Sequence, residues 1–384
     1  MKHPFPVAGG GCKLWAAIFL SAGSLAAQAA GPFTVNTLND SHALSPASSP
    51  NDAGGHVSLR SAIEAANAQS GATTISIPAG IFNLTLGELD LATNVSQTAI
   101  LAGAGAANTI VNQSDPTNRV FNLDPNSLGG TLTTLSGLTI QGGHDGADLQ
   151  GGAGILAGSL TSLTPDGLNL INCVIQNNNC STNTTQEPGG GIQMAGGNLN
   201  LLNCTLSNNS SGQSFGGAIF LLAQSVPSGL NVTNSLFINN SLTNNSGAEP
   251  DGGGAIMIET PAGSTHSLTG CTFVNHRAAG LFGETYGGAL QLNGGSLTIS
   301  SSSFVSNSVT GQGGLGGAIY ADSGSLNLGL CRLTDNAAST NGSGLYNHAS
   351  NGATTVATNN WWGCNGGPGT AGCDVVSAMA ALQP

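Results

Sequence analysis

Charge is what this sequence lacks. Of 384 residues, 6 are Lys or Arg and 18 are Asp or Glu, together 6% of the chain, where soluble domains carry about 25%. Cations are scarcest: the lysines are Lys2 and Lys13, and the arginines are Arg60, Arg119, Arg277 and Arg332. Phosphate backbones are held by clustered Lys and Arg, so nucleic acid is excluded as a partner. Charged disordered tails are excluded too, since they combine high charge with low hydrophobicity, whereas 39% of this chain is hydrophobic. Proline is limited to 15 residues and the 59 glycines keep no three-residue period, which rules out a collagen-like chain. No paired C-x2-C or Cys/His pattern appears, so no zinc site or other metal centre is expected. Beyond the N-terminus no apolar run approaches the roughly 20 residues of a spanning helix.

The N-terminus reads as a targeting segment, residues 1–29. Lys2 and Lys13 flank a weakly positive region, Leu14 to Leu25 is apolar, and Ala27-Gln28-Ala29 fits the small-x-small cleavage rule. Cleavage after Ala29 removes both lysines and leaves a formal charge of 4 − 18 = −14. It also removes Cys12, leaving seven cysteines, an odd number that implies at least one free thiol. Cys364 and Cys373 bracket a Gly-rich loop with little else to hold it, and a disulfide is expected there.

What the sequence does have is a repeat. The phrases LNLINCVIQNN (168–178), LNLLNCTLSNN (199–209), LNVTNSLFINN (230–240), HSLTGCTFVNH (266–276), LTISSSSFVSN (297–307) and LNLGLCRLTDN (326–336) share one pattern. Marker positions fall at Leu138, Cys173, Cys204, Ser235, Cys271, Ser302, Cys331 and Asn359. A second phrase precedes each copy, as in GGGIQM (189–194), GGAIFL (216–221) and GGAIYA (316–321). Within a repeat, apolar residues alternate and then change phase, which indicates short strands separated by a bend. Such a unit cannot bury its own apolar face, so successive units must stack. The expected fold is an all-β, right-handed parallel β-helix of about ten coils, some 45–50 Å long at ~4.8 Å per coil. A parallel in-register stack also explains the missing charge, because any charge written into the repeat would face its own copy, and like charges directly opposite are destabilising.

Both ends of such a rod need covers. Over Ser58 to Ala68, Leu59, Ala62, Ile63 and Ala66 fall on one helical face, with Arg60 and Glu64 on the other, giving an N-terminal cap within residues 30–72. The repeats then fill 73–358. Residues 359–384 form the C-terminal cap, with a Trp of Trp361-Trp362 over the last coil. Cys173 and Cys204 are expected as inward-facing thiols, and the paired asparagines 177–178, 208–209 and 239–240 as amide ladders.

The stretch Phe33-Thr34-Val35-Asn36-Thr37 with Val57-Ser58-Leu59-Arg60-Ser61-Ala62-Ile63 resembles the N-terminal module named for the sequence CSLREA, with Val57 in place of Cys and Ser61 in place of Glu. The body is similar to the repeats of chlamydial polymorphic outer-membrane proteins, whose GGA(I/L/V) and FxxN signatures match Gly216 to Ile219, Gly316 to Ile319, Phe237 to Asn240 and Phe304 to Asn307. The resemblance implies a β-helix of the pectate-lyase-like kind, secreted or at the cell surface, in some members associated with the outer membrane and often adhesive. Its partners would be a polysaccharide or a host or cell-surface ligand. Those proteins end in a translocating β-barrel, for which the sequence to Pro384 has no room, so autotransport is not expected.

Carbohydrate-active enzymes use the same scaffold, so chemistry must be read from residues. A lyase needs a strong base, and the expected mature chain has no Lys and four Arg. Glycoside hydrolysis needs two carboxyls about 5–5.5 Å or 6.5–9.5 Å apart. Acids gather in the loops before the GG phrases: Asp145, Asp148, Glu187, Glu249, Asp251 and Glu284. These are first of all solvated loop charges. As a site, Glu187, Glu249, Asp251 and Glu284 would bind a carbohydrate or Ca²⁺, with Glu284 and Asp251 as candidate catalytic residues. His276 and Arg277 replace residues typical of the repeat, which marks their coil as irregular; a lone His is most simply a solvated loop residue. The sequence thus leans away from an enzyme.

Overall fold

One repeat shows how the chain turns. After Gly189 it runs through Ile192–Ala195, Asn198–Leu202, Thr205–Ser207 and Ser210–Ser211, four short strands separated by tight bends. Each strand pairs in parallel with its counterparts one repeat before and after; Ile192–Ala195, for example, lies between Ile155–Gly158 and Ile219–Leu222. The result is a right-handed parallel β-helix. The computed structural model describes residues 32–69, 71–92, 94, 96–144, 151–180, 189–212, 215–244, 251–280 and 284–378, so the targeting segment lies outside them. Third strands form a nine-membered sheet from Gly80–Leu84 to Arg332–Thr334, making about nine turns, one fewer than expected. First and second strands fuse into one 19-stranded sheet because in two coils the corner between them straightens, giving the eleven-residue strands Leu290–Ser300 and Ile319–Gly329.

The asparagine pairs divide their labour. The first of each pair, Asn177, Asn208 and Asn239, takes φ near 54°, the left-handed conformation that Asn tolerates better than most residues, and so turns the chain. Asn172, Asn203 and Asn234 do the same at the preceding bend. The second of each pair points inward and forms a fully buried ladder. Asn178 donates its backbone N–H and its Nδ2 to Asn209 Oδ1 (3.2 and 3.0 Å), and Asn209 donates likewise to Asn240 Oδ1 (2.9 and 3.0 Å). The ladder continues through His276, Asn307 and Asn336 and ends on the buried Asp374. The amide-ladder expectation therefore holds for one asparagine of each pair.

The GG phrase has a steric cause. A Cβ on Gly217 would stand 2.3 Å from the carbonyl oxygen of Gly254 and 2.5 Å from that of Ser241, because this corner of one coil rests on the backbone of the next. Inside the tube, Phe237, Phe273 and Phe304 stack at 4.6 Å between successive ring centres, beside the buried thiols of Cys173, Cys204, Cys271 and Cys331. Burial pushes these thiols up, Cys204 to about 12. On the solvent side, an uncharged column links Asn169, Asn200, Asn231 and Ser267 by side-chain hydrogen bonds of 2.9–3.0 Å. At the last coil the marker shifts by one residue: Cys331 N–H donates to Asn360 Oδ1 (2.8 Å), while Asn359 takes the left-handed bend (φ 58°).

The caps close both ends. The helix Leu59–Asn67 lays Leu59, Ala62, Ile63 and Ala66 over the first coil. Ser58 caps it, and Ser61 donates and accepts in return, completing a capping box without the Glu of the CSLREA pattern. Arg60, on the other face of the helix, is buried. It is 6% exposed, paired with Asp40 (2.7 Å), and donates to the carbonyls of Gly87 and Glu88. Burial opposes ionisation of Asp40, but hydrogen bonds from Arg60, Thr85 and Leu86 hold its carboxyl below the usual range. At the other end Trp362 joins the core while Trp361 remains exposed under Arg332, and a disulfide joins Cys364 to Cys373.

Candidate ligand-binding site

The chain contains three tyrosines, and all three stack on one flank of the rod near its C-terminal end. Tyr320 and Tyr346 occupy equivalent positions on neighbouring first strands and point away from the tube. Tyr286 comes from the short strand Thr285–Tyr286 just before a GG phrase. Its ring centre lies 4.3 Å from that of Tyr320, which lies 5.7 Å from that of Tyr346, all nearly parallel. The ring faces cover one another and leave the hydroxyls at the edge of the stack.

Acids and an imidazole meet those hydroxyls. Tyr286 donates to Glu284 Oε2. Tyr320 donates to Asp322 Oδ1 (3.1 Å), and its oxygen lies 2.9 Å from His348 Nδ1. His348 Nδ1 is 2.8 Å from Asp322 Oδ1, and Asn351 donates to Asp322 Oδ2 (2.8 Å). A carboxylate only accepts, so Nδ1 carries the proton, and in the neutral ring Nε2 is an acceptor. Burial first, and then the neighbouring carboxylates, push the Tyr286 and Tyr320 hydroxyls well above the ordinary tyrosine range; burial also raises Tyr346. All three remain protonated donors at any physiological pH. Beneath them, Gln291 Oε1 and Thr285 Oγ1 are buried without a hydrogen-bond partner, and Gln291 pairs in register with Tyr320.

Of the acids singled out from the sequence, Glu284 belongs to this cluster and is solvent-exposed. Asp251 lies in a strand that pairs Asp251 with Thr285 and Gly252 with Tyr286, so it is level with Thr285 and not with Glu284. Glu187, Glu249, Asp145 and Asp148 lie outside the described residues. Among the described residues no group of three or more His, Cys, Asp or Glu converges as a metal site, for Ca²⁺ or otherwise. His276 is not a solvated loop residue. It is fully buried as a rung of the asparagine ladder, and burial pushes its imidazole down to about 4, as it does that of His266. Arg277, exposed, donates to Thr310.

Tyr320, Asp322, Tyr346 and His348 were not singled out by the sequence reading, although a signal for them exists. Tyr320-Ala321-Asp322 and Tyr346-Asn347-His348 share one spacing at one position of the repeat. Stacking in register therefore sets Tyr on Tyr and brings Asp322 to His348. A separate polar recess of about 540 Å³ lies between the cap helix and the first coils, lined by residues that include His42, Glu64, Asn67, Glu88 and Asp90.

Neither a family model nor a curated protein matches this sequence. Among solved structures, a pectin methylesterase from carrot is similar at 12% identity, over 78% of this chain and 84% of that one, with a TM-score of 0.37.

Proposed function

We propose that this protein is an exported β-helix rod with a structural and adhesive role outside the cell, its partner a polysaccharide or other surface glycan. Residues 1–29 act as the export signal, and the rod of residues 73–358 is held between the caps of 30–72 and 359–384. The observation that carries this reading is where the repeat spends its polar side chains. Asn178, Asn209, Asn307 and Asn336 donate their side chains to the next coil inside the tube, and Asn169, Asn200 and Asn231 bond to one another outside it. A chain that commits its repeated polar groups to self-stacking is built as a scaffold. The Cys364–Cys373 disulfide suits an oxidising compartment, and no helix among the described residues is long and apolar enough to cross a membrane. The resemblance to the CSLREA module and the polymorphic outer-membrane repeats supports the same placement at the cell surface.

A second reading, a carbohydrate-active hydrolase, is favoured by the Asp322–His348 pair, in which a carboxylate orients an imidazole whose other nitrogen is an acceptor. Incubation of the exported protein with acidic and neutral polysaccharides separates the two. Retention on a polysaccharide without release of reducing ends supports the scaffold. Turnover abolished by His348→Gln would replace it with the enzyme.

A further inference from the structure

We infer that the tyrosine cluster is a subsite for an amino sugar with a free ammonium group. This rests on the glycan-binding reading above and narrows its ligand. The hydrogen-bonding capacity left over at the edge of the stack is mostly acceptor, because Tyr286, Tyr320, His348 Nδ1 and Asn351 already donate to Glu284 and Asp322. Glu284 accepts from Tyr286, and the rest of its exposed carboxylate faces solvent. Asp322 accepts from Tyr320, His348 and Asn351. His348 Nε2 is an acceptor in the neutral ring. Gln291 Oε1, 3% exposed as a residue, is a buried acceptor with no protein donor on the same side of the sheet.

Among the described residues no Lys or Arg answers these two carboxylates. Arg277 is bonded to Thr310 and Arg332 lies over Trp361, while Arg60 and Arg119 belong to the first coils, with Asp40 and Glu88. The complement of a negative, acceptor-rich edge is a ligand that brings donors and positive charge. An ammonium has three donors and no acceptor, and the sugar hydroxyls beside it supply further donors to the tyrosine oxygens and the imidazole. A uronate would bring a third carboxylate to the same place. The net charge of −12 over the whole chain favours the same sign of ligand at longer range.

The test is calorimetric titration of the exported protein with a glucosamine tetramer, its N-acetylated counterpart, a galacturonate tetramer, and calcium chloride alone. Glucosamine should bind at least about tenfold more tightly than the N-acetylated tetramer, as expected for losing a charge-assisted hydrogen bond. Glu284→Gln and Asp322→Asn should each weaken it about tenfold, while Asp115→Asn, a half-buried turn carboxylate near the other end of the rod, should leave it unchanged. Unfolding midpoints identify any variant that fails to fold; Glu284→Gln alters an exposed side chain and keeps the test available. Equal affinity for the N-acetylated tetramer would overturn recognition of the amine and leave glycan binding standing. Binding indifferent to Glu284→Gln and Asp322→Asn, or equally weakened by Asp115→Asn, would overturn the site. Calcium binding lost in the same variants would make it a metal-ion site instead. If no glycan of any class binds, the adhesive reading fails with it.

Discussion

Replacing His276 by asparagine should stabilise the rod and remove much of its sensitivity to acid. An ordinary rung such as Asn209 accepts two hydrogen bonds on Oδ1 and donates Nδ2 to the Ile175 carbonyl and to the next rung. His276 accepts the Asn240 N–H on Nδ1 (3.0 Å), but it gives Asn240 Nδ2 no acceptor and leaves its own Nε2 buried without a partner. An asparagine there would restore about three hydrogen bonds, each worth a net 0.5–1.5 kcal/mol, and remove one unsatisfied group costing about 1–3 kcal/mol. Against this stand the volume lost and the edge contact of the imidazole with Phe273, at 6.0 Å between ring centres, together about 2–3 kcal/mol. The net expectation is a gain of about 1–3 kcal/mol at pH 7. The pH dependence has a definite sign. Burial pushes the His276 imidazole down to about 4 in the fold, from the 6.5 of an unperturbed side chain, so the unfolded chain binds the proton more tightly. The cost is absent above pH 6.5 and grows as the pH falls toward 4, reaching about 2–3 kcal/mol at pH 4.5. His266, also pushed down to about 4, contributes a comparable cost that the substitution leaves in place. Urea midpoints at pH 7 and pH 4.5 would measure both effects. A variant less stable than the parent at pH 7, with an unchanged loss on acidification, would refute the assignment of His276 to the ladder.

Three further expectations follow from the stack and its caps. Gly217→Ala sets a methyl against the carbonyls of Gly254 and Ser241 and should cost about 3 kcal/mol or more, read as a lower urea midpoint. Asn169→Asp, Asn200→Asp and Asn231→Asp together place three carboxylates on one column of the solvent side. They should destabilise the protein by about 1–3 kcal/mol near neutral pH and less in molar salt; salt-independent stability equal to the parent would remove repulsion as the reason for the missing charge. Cys364→Ser with Cys373→Ser should loosen the C-terminal cap by about 2–3 kcal/mol, seen as faster proteolysis within residues 359–378 while the coils around Phe237 and Phe273 remain protected from hydrogen exchange.

Much of the fold was legible because a parallel stack writes its geometry into the repeat. The recurrence of Leu199, Leu201, Cys204 and Leu206 in each copy fixes which side chains enter the tube, and the GG phrase marks the corner where coils touch. Residues serving one coil alone were less legible. His276 looked like a loop residue because nothing local shows that the last position of its phrase faces inward, and nothing local pairs Arg60 with Asp40, twenty residues away. The acids before the GG phrases were visible as a group, and Glu284 meets other functional side chains. Asp322 and His348 are brought together by the register of Tyr320 with Tyr346.

The sequence by itself determined the period, the parallel stacking of short strands, the two caps, the disulfide and the exclusion of charge from the repeat, since each follows from a pattern that every coil must satisfy against its neighbours. Tertiary structure alone decided which asparagine of each pair turns the chain and which bonds inward, that His276 is a rung and Arg60 is buried, and that Tyr286, Tyr320 and Tyr346 share one stack. Those outcomes depend on the register between coils. A shift of one residue there would turn the same side chains to the opposite face, so contacts between residues some thirty positions apart in sequence are settled when the coils close on one another.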